Sequence, residues 1–176
     1  MTLVLVRHTP VAGMRGLCYG RLDVELADSF PADAEAVRAS LPPAPWVLYA
    51  SPARRCRQLA ERLGAPVAID PRLQELDFGG WEGRAWNDLS RPELDRWCGG
   101  FVTLSPPGGE CFAELAARAI AFAADMARQH QTGRVVAVTH AGVIRALLAT
   151  ARRLPLADAF SIAVPPGSVH ILEPAA

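Results

Sequence analysis

The chain has 176 residues, a length that suits one domain with a sizeable hydrophobic core and leaves no room for a second of catalytic size. Its 51% hydrophobic and 20% charged residues exclude a largely disordered protein. Because 18 acidic residues offset 18 basic ones, no net field exists to hold nucleic acid or an anionic membrane, and neither is expected as a partner. All the basic residues are arginines, and alanine is abundant. That bias reads as GC-rich codon usage, so only particular arginine positions carry weight.

The chain opens on an apolar run, Leu3 to Val6, that stops at Arg7-His8 and predicts a strand buried on both faces. The run is too short for a signal-peptide core, and no stretch approaches the roughly 20 apolar residues of a membrane span. A cytoplasmic protein is expected. A second run, Trp46 to Ala50, leads into Ser51-Pro52, where a serine cap and proline at the first helical position predict a helix from Ala53 to about Leu63. Gly64 closes it. From Asp70 to Phe101 the pattern is least regular and holds three of the four tryptophans, which predicts a long excursion over a site. Pro106-Pro107-Gly108-Gly109 then breaks the chain before a helix over 110–129, whose Phe112, Leu115, Ala119, Phe122 and Met126 recur at helical steps. Val135 to Val138 reads as a third buried strand, followed by a helix from about Val143 to Arg153 and a last strand from Ser168 to Leu172. This alternation predicts an α/β fold over 1–176, a three-layer α/β/α sandwich with a mainly parallel sheet. Cys18, Cys56, Cys98 and Cys111 form no Cys-x-x-Cys pair and read as structural thiols in a reducing compartment.

Ligands of open α/β sheets gather at the carboxyl ends of the strands, so the residues just after each buried run matter most. These are Arg7-His8-Thr9, Ser51 to Arg57, and Thr139-His140-Ala141-Gly142. Arg54, Arg55 and Arg57 crowd the positive end of a helix, a cost that a bound anion offsets, and a phosphate suits both guanidinium donors and helix N–H groups. Solvated arginines paired with Glu61 are the plainer alternative. A neutral imidazole attacks phosphorus competently, and flanking guanidiniums lower its pKa. His8 and His140 sit where that chemistry needs them, whereas His130 and His170 read as structural. No His/Cys/carboxylate trio has zinc-ligand spacing, so neither metal nor cofactor is expected. A leaving alkoxide needs a proton, for which Glu75, Asp77 and Glu82 are the candidates. Alternation with Leu73, Leu76, Phe78 and Trp81 would give such a carboxyl an apolar setting. Spacing does not choose among the three.

These residues resemble the histidine phosphatase superfamily, also called phosphoglycerate mutase-like, from Leu3 to about Leu148. Leu5-Val6-Arg7-His8-Thr9 is similar to its Arg-His-Gly/Thr signature, Ser51-Pro52-Ala53-Arg54-Arg55-Cys56-Arg57-Gln58-Leu59-Ala60 to its Ser-Pro-Leu-x-Arg helix, Leu73-Gln74-Glu75 to its Leu-x-Glu, and Thr139-His140-Ala141-Gly142 to its second histidine motif. The resemblance implies His8 as the phosphorylated nucleophile, Arg7, Arg55 and His140 around the phosphate, and Glu75 as general acid. Thr9, Tyr19, Ala141 and Gly142 are the implied substrate contacts. Within the superfamily, Gly16-Leu17-Cys18-Tyr19-Gly20-Arg21, Glu75-Leu76-Asp77-Phe78-Gly79 and Pro107-Gly108-Gly109-Glu110 look like the α-ribazole phosphatases of cobalamin synthesis, with Cys111 where serine is expected. That branch implies α-ribazole 5′-phosphate, or a corrinoid bearing the same nucleotide, as a small-molecule substrate. A broad-specificity sugar-phosphate phosphatase and a non-catalytic phospholigand-binding module are the alternatives. Tyr19, Phe78, Trp81 and Trp86 stack on a base or simply pack, and homodimerisation is left open.

Overall fold

The computed structural model describes residues 1–173. Five strands form one sheet, β1 (Thr2–Arg7), β2 (Val47–Ala50), β3 (Val67–Ile69), β4 (Arg134–Thr139) and β5 (Val169–Leu172), in the order β3-β2-β4-β1-β5. All neighbours are parallel except β5, which runs antiparallel to β1. The described residues form five α-helices, α1 (Phe30–Ser40), α2 (Arg54–Arg62), α3 (Arg91–Gly100), α4 (Phe112–Gln129) and α5 (Ala141–Ala151), all but α3 flanking the sheet. Among the described residues no helix is long and apolar enough to cross a membrane.

The sheet is continuous apolar sequence because both its faces are covered. Leu3, Leu5, Val135 and Ala137 pack against Leu115, Ala119 and Phe122 of α4 and Ile144 and Leu148 of α5. Val4, Val6, Val136 and Val138 face the other way, onto Ala34 and Val37 of α1 and Cys56, Leu59 and Ala60 of α2. The result is the expected α/β/α sandwich. A smaller cluster of Cys18, Trp81 and Leu89, with Phe78, Trp86 and Trp97 against it, gives the segment after β3 its own packing.

Several local expectations need correction. Ser51 is not a helix cap: α2 starts after Ala53 as N-cap, and the serine hydroxyl is engaged elsewhere. Helix α5 begins at Ala141, directly after His140, rather than near Val143. Helix α1 escaped notice because its buried positions are only Ala34 and Val37, too thin an apolar stripe to show a period. Helix α3 buries no residue at all. Cys111 replaces the expected serine at the start of α4, yet Glu114 still reaches back to accept the Cys111 N–H at 2.8 Å.

Candidate active site

The parallel register brings three strand ends to one level. Arg7 pairs with Thr139 and Ala50 with Val138, and the next residues extend the ladder, His8 N–H donating to Thr139 O at 3.0 Å and Ser51 N–H to Val138 O at 2.9 Å. His8, Ser51 and His140 therefore leave the sheet side by side. The two imidazoles meet edge to face with ring centroids 5.3 Å apart. His8, Thr9, Ser51, Arg55, Thr139 and His140 are all buried.

Hydrogen-bond partners fix where the ring protons sit. Nδ1 of His8 lies 2.8 Å from Thr9 O, and since a carbonyl only accepts, the proton is on Nδ1 and Nε2 keeps its lone pair. Burial, aided by the Arg55 and Arg7 guanidiniums and opposed by the Thr9 carbonyl, lowers the His8 pKa to about 3. The ring is neutral at physiological pH. Nδ1 of His140 faces Arg55 Nη2 at 3.2 Å, a pure donor, so His140 carries its proton on Nε2, 2.8 Å from Ser51 Oγ. Burial, then Arg55, holds its pKa well below the usual range. Cys56 packs against the same ring at 3.5 Å, but burial pushes its thiol up to about 12, which removes it as a nucleophile.

The arginine cluster divides sharply. Arg54 reaches outward to Glu25 at 2.5 Å and Arg57 is exposed, whereas Arg55 is 0% exposed. Arg55 is held by Leu22 O at 2.9 Å and Gly20 O at 2.6 Å, and Arg7 by Val164 O at 2.5 Å. Neither makes an ion pair among the described residues. The Nε atoms of both, and Thr9 Oγ1, are buried with no hydrogen-bond partner. Native interiors rarely leave such donors unsatisfied.

The three candidate carboxylates separate as cleanly. Glu82 is spent on structure, accepting backbone N–H groups of Gly20, Arg21, Leu22 and Phe78 at 2.9 to 3.1 Å. Asp77 accepts from Gly79 N–H at 2.8 Å and pairs with Arg21 at 3.2 Å. Glu75 alone enters a cavity of about 200 Å³, together with Arg7, His8, Tyr19, Arg55, Ala141 and Gly142. Leu76 N–H and Gly142 N–H steady its carboxylate at 2.9 and 3.1 Å. A Cβ at Gly142 would lie 2.2 Å from Glu75 Oε1, so any side chain there would displace the Glu75 carboxylate from its place in the cavity. Leu17, Leu76, Phe78, Trp86, Phe112 and Phe160 form the apolar walls, with Arg145 among them. Trp81 packs in the separate cluster, Thr9 is buried outside this lining, and His140 borders an adjoining cavity that also reaches Glu75.

The model of the histidine phosphatase superfamily (branch 1) matches residues 3–176. The chain belongs to that superfamily. It is 29% identical over 157 residues to the metal-independent phosphoserine phosphatase of Arabidopsis thaliana, covering 82% of this chain and 66% of that protein. It is 28% identical over 176 residues to the adenosylcobalamin/α-ribazole phosphatase of Salmonella typhimurium, covering 95% and 87% respectively. The structure of a mycobacterial glucosyl-3-phosphoglycerate phosphatase complexed with VO3 superposes with a TM-score of 0.86 at 29% identity, covering 98% of this chain and 92% of that one.

Sequence reasoning overlooked two residues that shape this histidine phosphatase site. Arg118 of α4 donates to Arg72 O at 2.8 Å, Gln74 O at 2.5 Å and Glu75 O at 3.1 Å, and also binds Glu110. It clamps the backbone that carries Glu75. Its signal in the sequence was an arginine one place before the core position Ala119. Ser51 was noticed as a cap, when its hydroxyl serves His140.

The depressed histidines carry a pH consequence. Below an unfolded pKa of 6.5 the unfolded chain takes up a proton that folded His8 refuses until about pH 3, so its contribution is intact above pH 6.5 and falls across that window. The slope is about 1.4 kcal/mol per pH unit for one proton. Urea unfolding between pH 7 and 4 is expected to show a steeper loss in the wild type than in His8→Asn. An NMR titration of His8 with a midpoint near 6.5 would contradict the burial argument.

Proposed function

We propose that this histidine phosphatase hydrolyses phosphate monoesters in two steps through a phosphohistidine on His8, with no metal. The observation that carries the reading is the pair of buried, unpartnered Nε–H donors of Arg7 and Arg55 beside an imidazole whose free lone pair is on Nε2. A phosphoryl group supplies the acceptors those donors lack, and the guanidiniums spread its charge. His8 Nε2 attacks phosphorus, the P–O ester bond breaks, and Glu75 in its acid form gives its proton to the departing oxygen. Charge gathering on the phosphorylated ring is met by the Thr9 carbonyl at Nδ1–H. Water then attacks phosphorus, Glu75 takes its proton, and the P–N bond returns its electron pair to His8. His140 acts through Arg55, holding the guanidinium at the phosphoryl oxygens. The Gly142 N–H steadies Glu75, and Ala141 and Tyr19 border the substrate.

The reading treats the chain as one catalytic domain, with the segment 70–101 supplying Glu75, Leu76, Phe78 and Trp86 as a wall over the site. Motif likeness supports α-ribazole 5′-phosphate, or the same nucleotide on a corrinoid, as substrate. The aromatic walls suit a flat base.

His8→Ala is expected to abolish turnover and acid-labile phosphoenzyme together, measured by trapping with labelled substrate; normal activity in that variant would refute covalent catalysis by His8. Glu75→Gln should slow an alkyl phosphate at least tenfold more than p-nitrophenyl phosphate, whose leaving group needs no proton. Equal slowing of both would remove the acid role. Dialysis against EDTA should leave kcat/KM intact, and loss of activity restored by zinc would return the metal reading.

A further inference from the structure

Arg145 belongs to the cavity but has no part in the chemistry above. It sits on α5 one helical turn beyond Gly142, and positions three apart share a face. The residue whose N–H holds Glu75 and the residue bearing this guanidinium thus project along one side of the cavity. Its anchoring is partial: Nε donates to Ile162 O at 3.1 Å, and the guanidinium carbon lies 5.1 Å from the Phe160 ring centroid. Both contacts orient the fork, and neither neutralises it. Among the described residues no carboxylate comes within 4.0 Å of it. Other partly buried arginines here do have carboxylates, Arg72 with Asp70 and Asp125, and Arg118 with Glu110. Burial works against the charge of Arg145, and Glu75, the acid of the proposed chemistry, is the anion near enough to favour it without an ion pair.

A purely structural clamp between α5 and the 156–164 segment would not need a cation facing a substrate cavity. The phosphate cradle of Arg7 and Arg55 is already complete without it. We propose that Arg145 is a specificity residue that receives a second anionic group on the substrate, separate from the phosphoryl being transferred. The inference rests on the phosphomonoesterase reading of the same cavity and departs from α-ribazole 5′-phosphate itself, whose single phosphate is the group transferred. The second anion is either a carboxylate close to the phosphorylated carbon or a further phosphate on a nucleotide ribose, and both offer the planar or forked acceptor that a guanidinium matches.

Matched substrates isolate the contact. 3-Phosphoglycerate and glycerol 3-phosphate differ in a carboxylate, and adenosine 3′,5′-bisphosphate and adenosine 5′-phosphate differ in a 3′-phosphate. The wild type is expected to favour the doubly anionic member of one pair by about tenfold or more in kcat/KM, in keeping with a charge-assisted hydrogen bond. Which pair shows the preference identifies the anion. Arg145→Gln should erase that preference, and Arg145→Lys should restore part of it. Absence of preference in both pairs, or a ratio unaltered by Arg145→Gln, overturns the proposal, as does equal slowing of both members, the mark of a structural clamp. Failure of the wild type to hydrolyse any phosphate ester, p-nitrophenyl phosphate included, overturns the underlying phosphatase reading instead.

Discussion

The parallel register of β2, β4 and β1 is the constraint from which the site follows. With Arg7 opposite Thr139 and Ala50 opposite Val138, residues far apart in sequence reach the same edge with no freedom to slip. A shift by one residue would turn every apolar side chain of a strand to the opposite layer, and both layers are filled. Packing of the two cores thereby sets the spacing of two imidazoles that have no direct hydrogen bond to each other. The site inherits its precision from the sheet.

Such precision matters because the region concentrates positive charge, with Glu75 the one carboxylate in the cavity lining and no ion pair to Arg7 or Arg55 among the described residues. Arg7 and Arg55 lie near His8 and lower its pKa, and their fixed partners are backbone carbonyls rather than carboxylates. Carbonyls orient a guanidinium and leave its charge available, whereas a carboxylate would compete with an incoming phosphate. Glu75 and Glu82 show the converse arrangement, each met by backbone N–H groups. Main-chain groups therefore position the charged side chains of both signs.

Much of this was legible in the sequence, and what was not has physical causes. Buried parallel strands write themselves as uninterrupted apolar runs, so β1, β2 and β4 were readable, and with them His8 and His140. The edge strand β3 has three residues and only Val67 is not exposed, which leaves no pattern. Helix α3 offers only part-buried Leu94 and Trp97 to its neighbouring cluster, too little to imprint a period. Spacing left Glu75, Asp77 and Glu82 equivalent because the difference among them lies in which distant N–H groups they meet, Gly142 for one and Gly20 to Leu22 for another. Likewise Arg54, Arg55 and Arg57 are adjacent in sequence, and only the helix phase, which turns Arg55 inward with Leu59, tells them apart.

The two ends of the cavity have different origins, and that difference bears on why relatives of one fold carry different substrate names. Its floor is made by strand ends and helix starts, where register and helix phase dictate geometry and where the Gly142 N–H holds Glu75. The outer walls come from segments outside the sheet: Leu17 and Tyr19 before α1, Phe78 and Trp86 in the long excursion, and Phe160 after α5. None of these side chains belongs to a strand of the sheet, although Phe78 packs against the α4–α5 layer and Phe160 against Phe112. Under the proposed chemistry the floor holds the phosphoryl group and the walls meet the group that the phosphate leaves behind. Arg145 stands at the boundary, anchored on a core helix and packed against Phe160, so it joins the floor of the cavity to its outer wall.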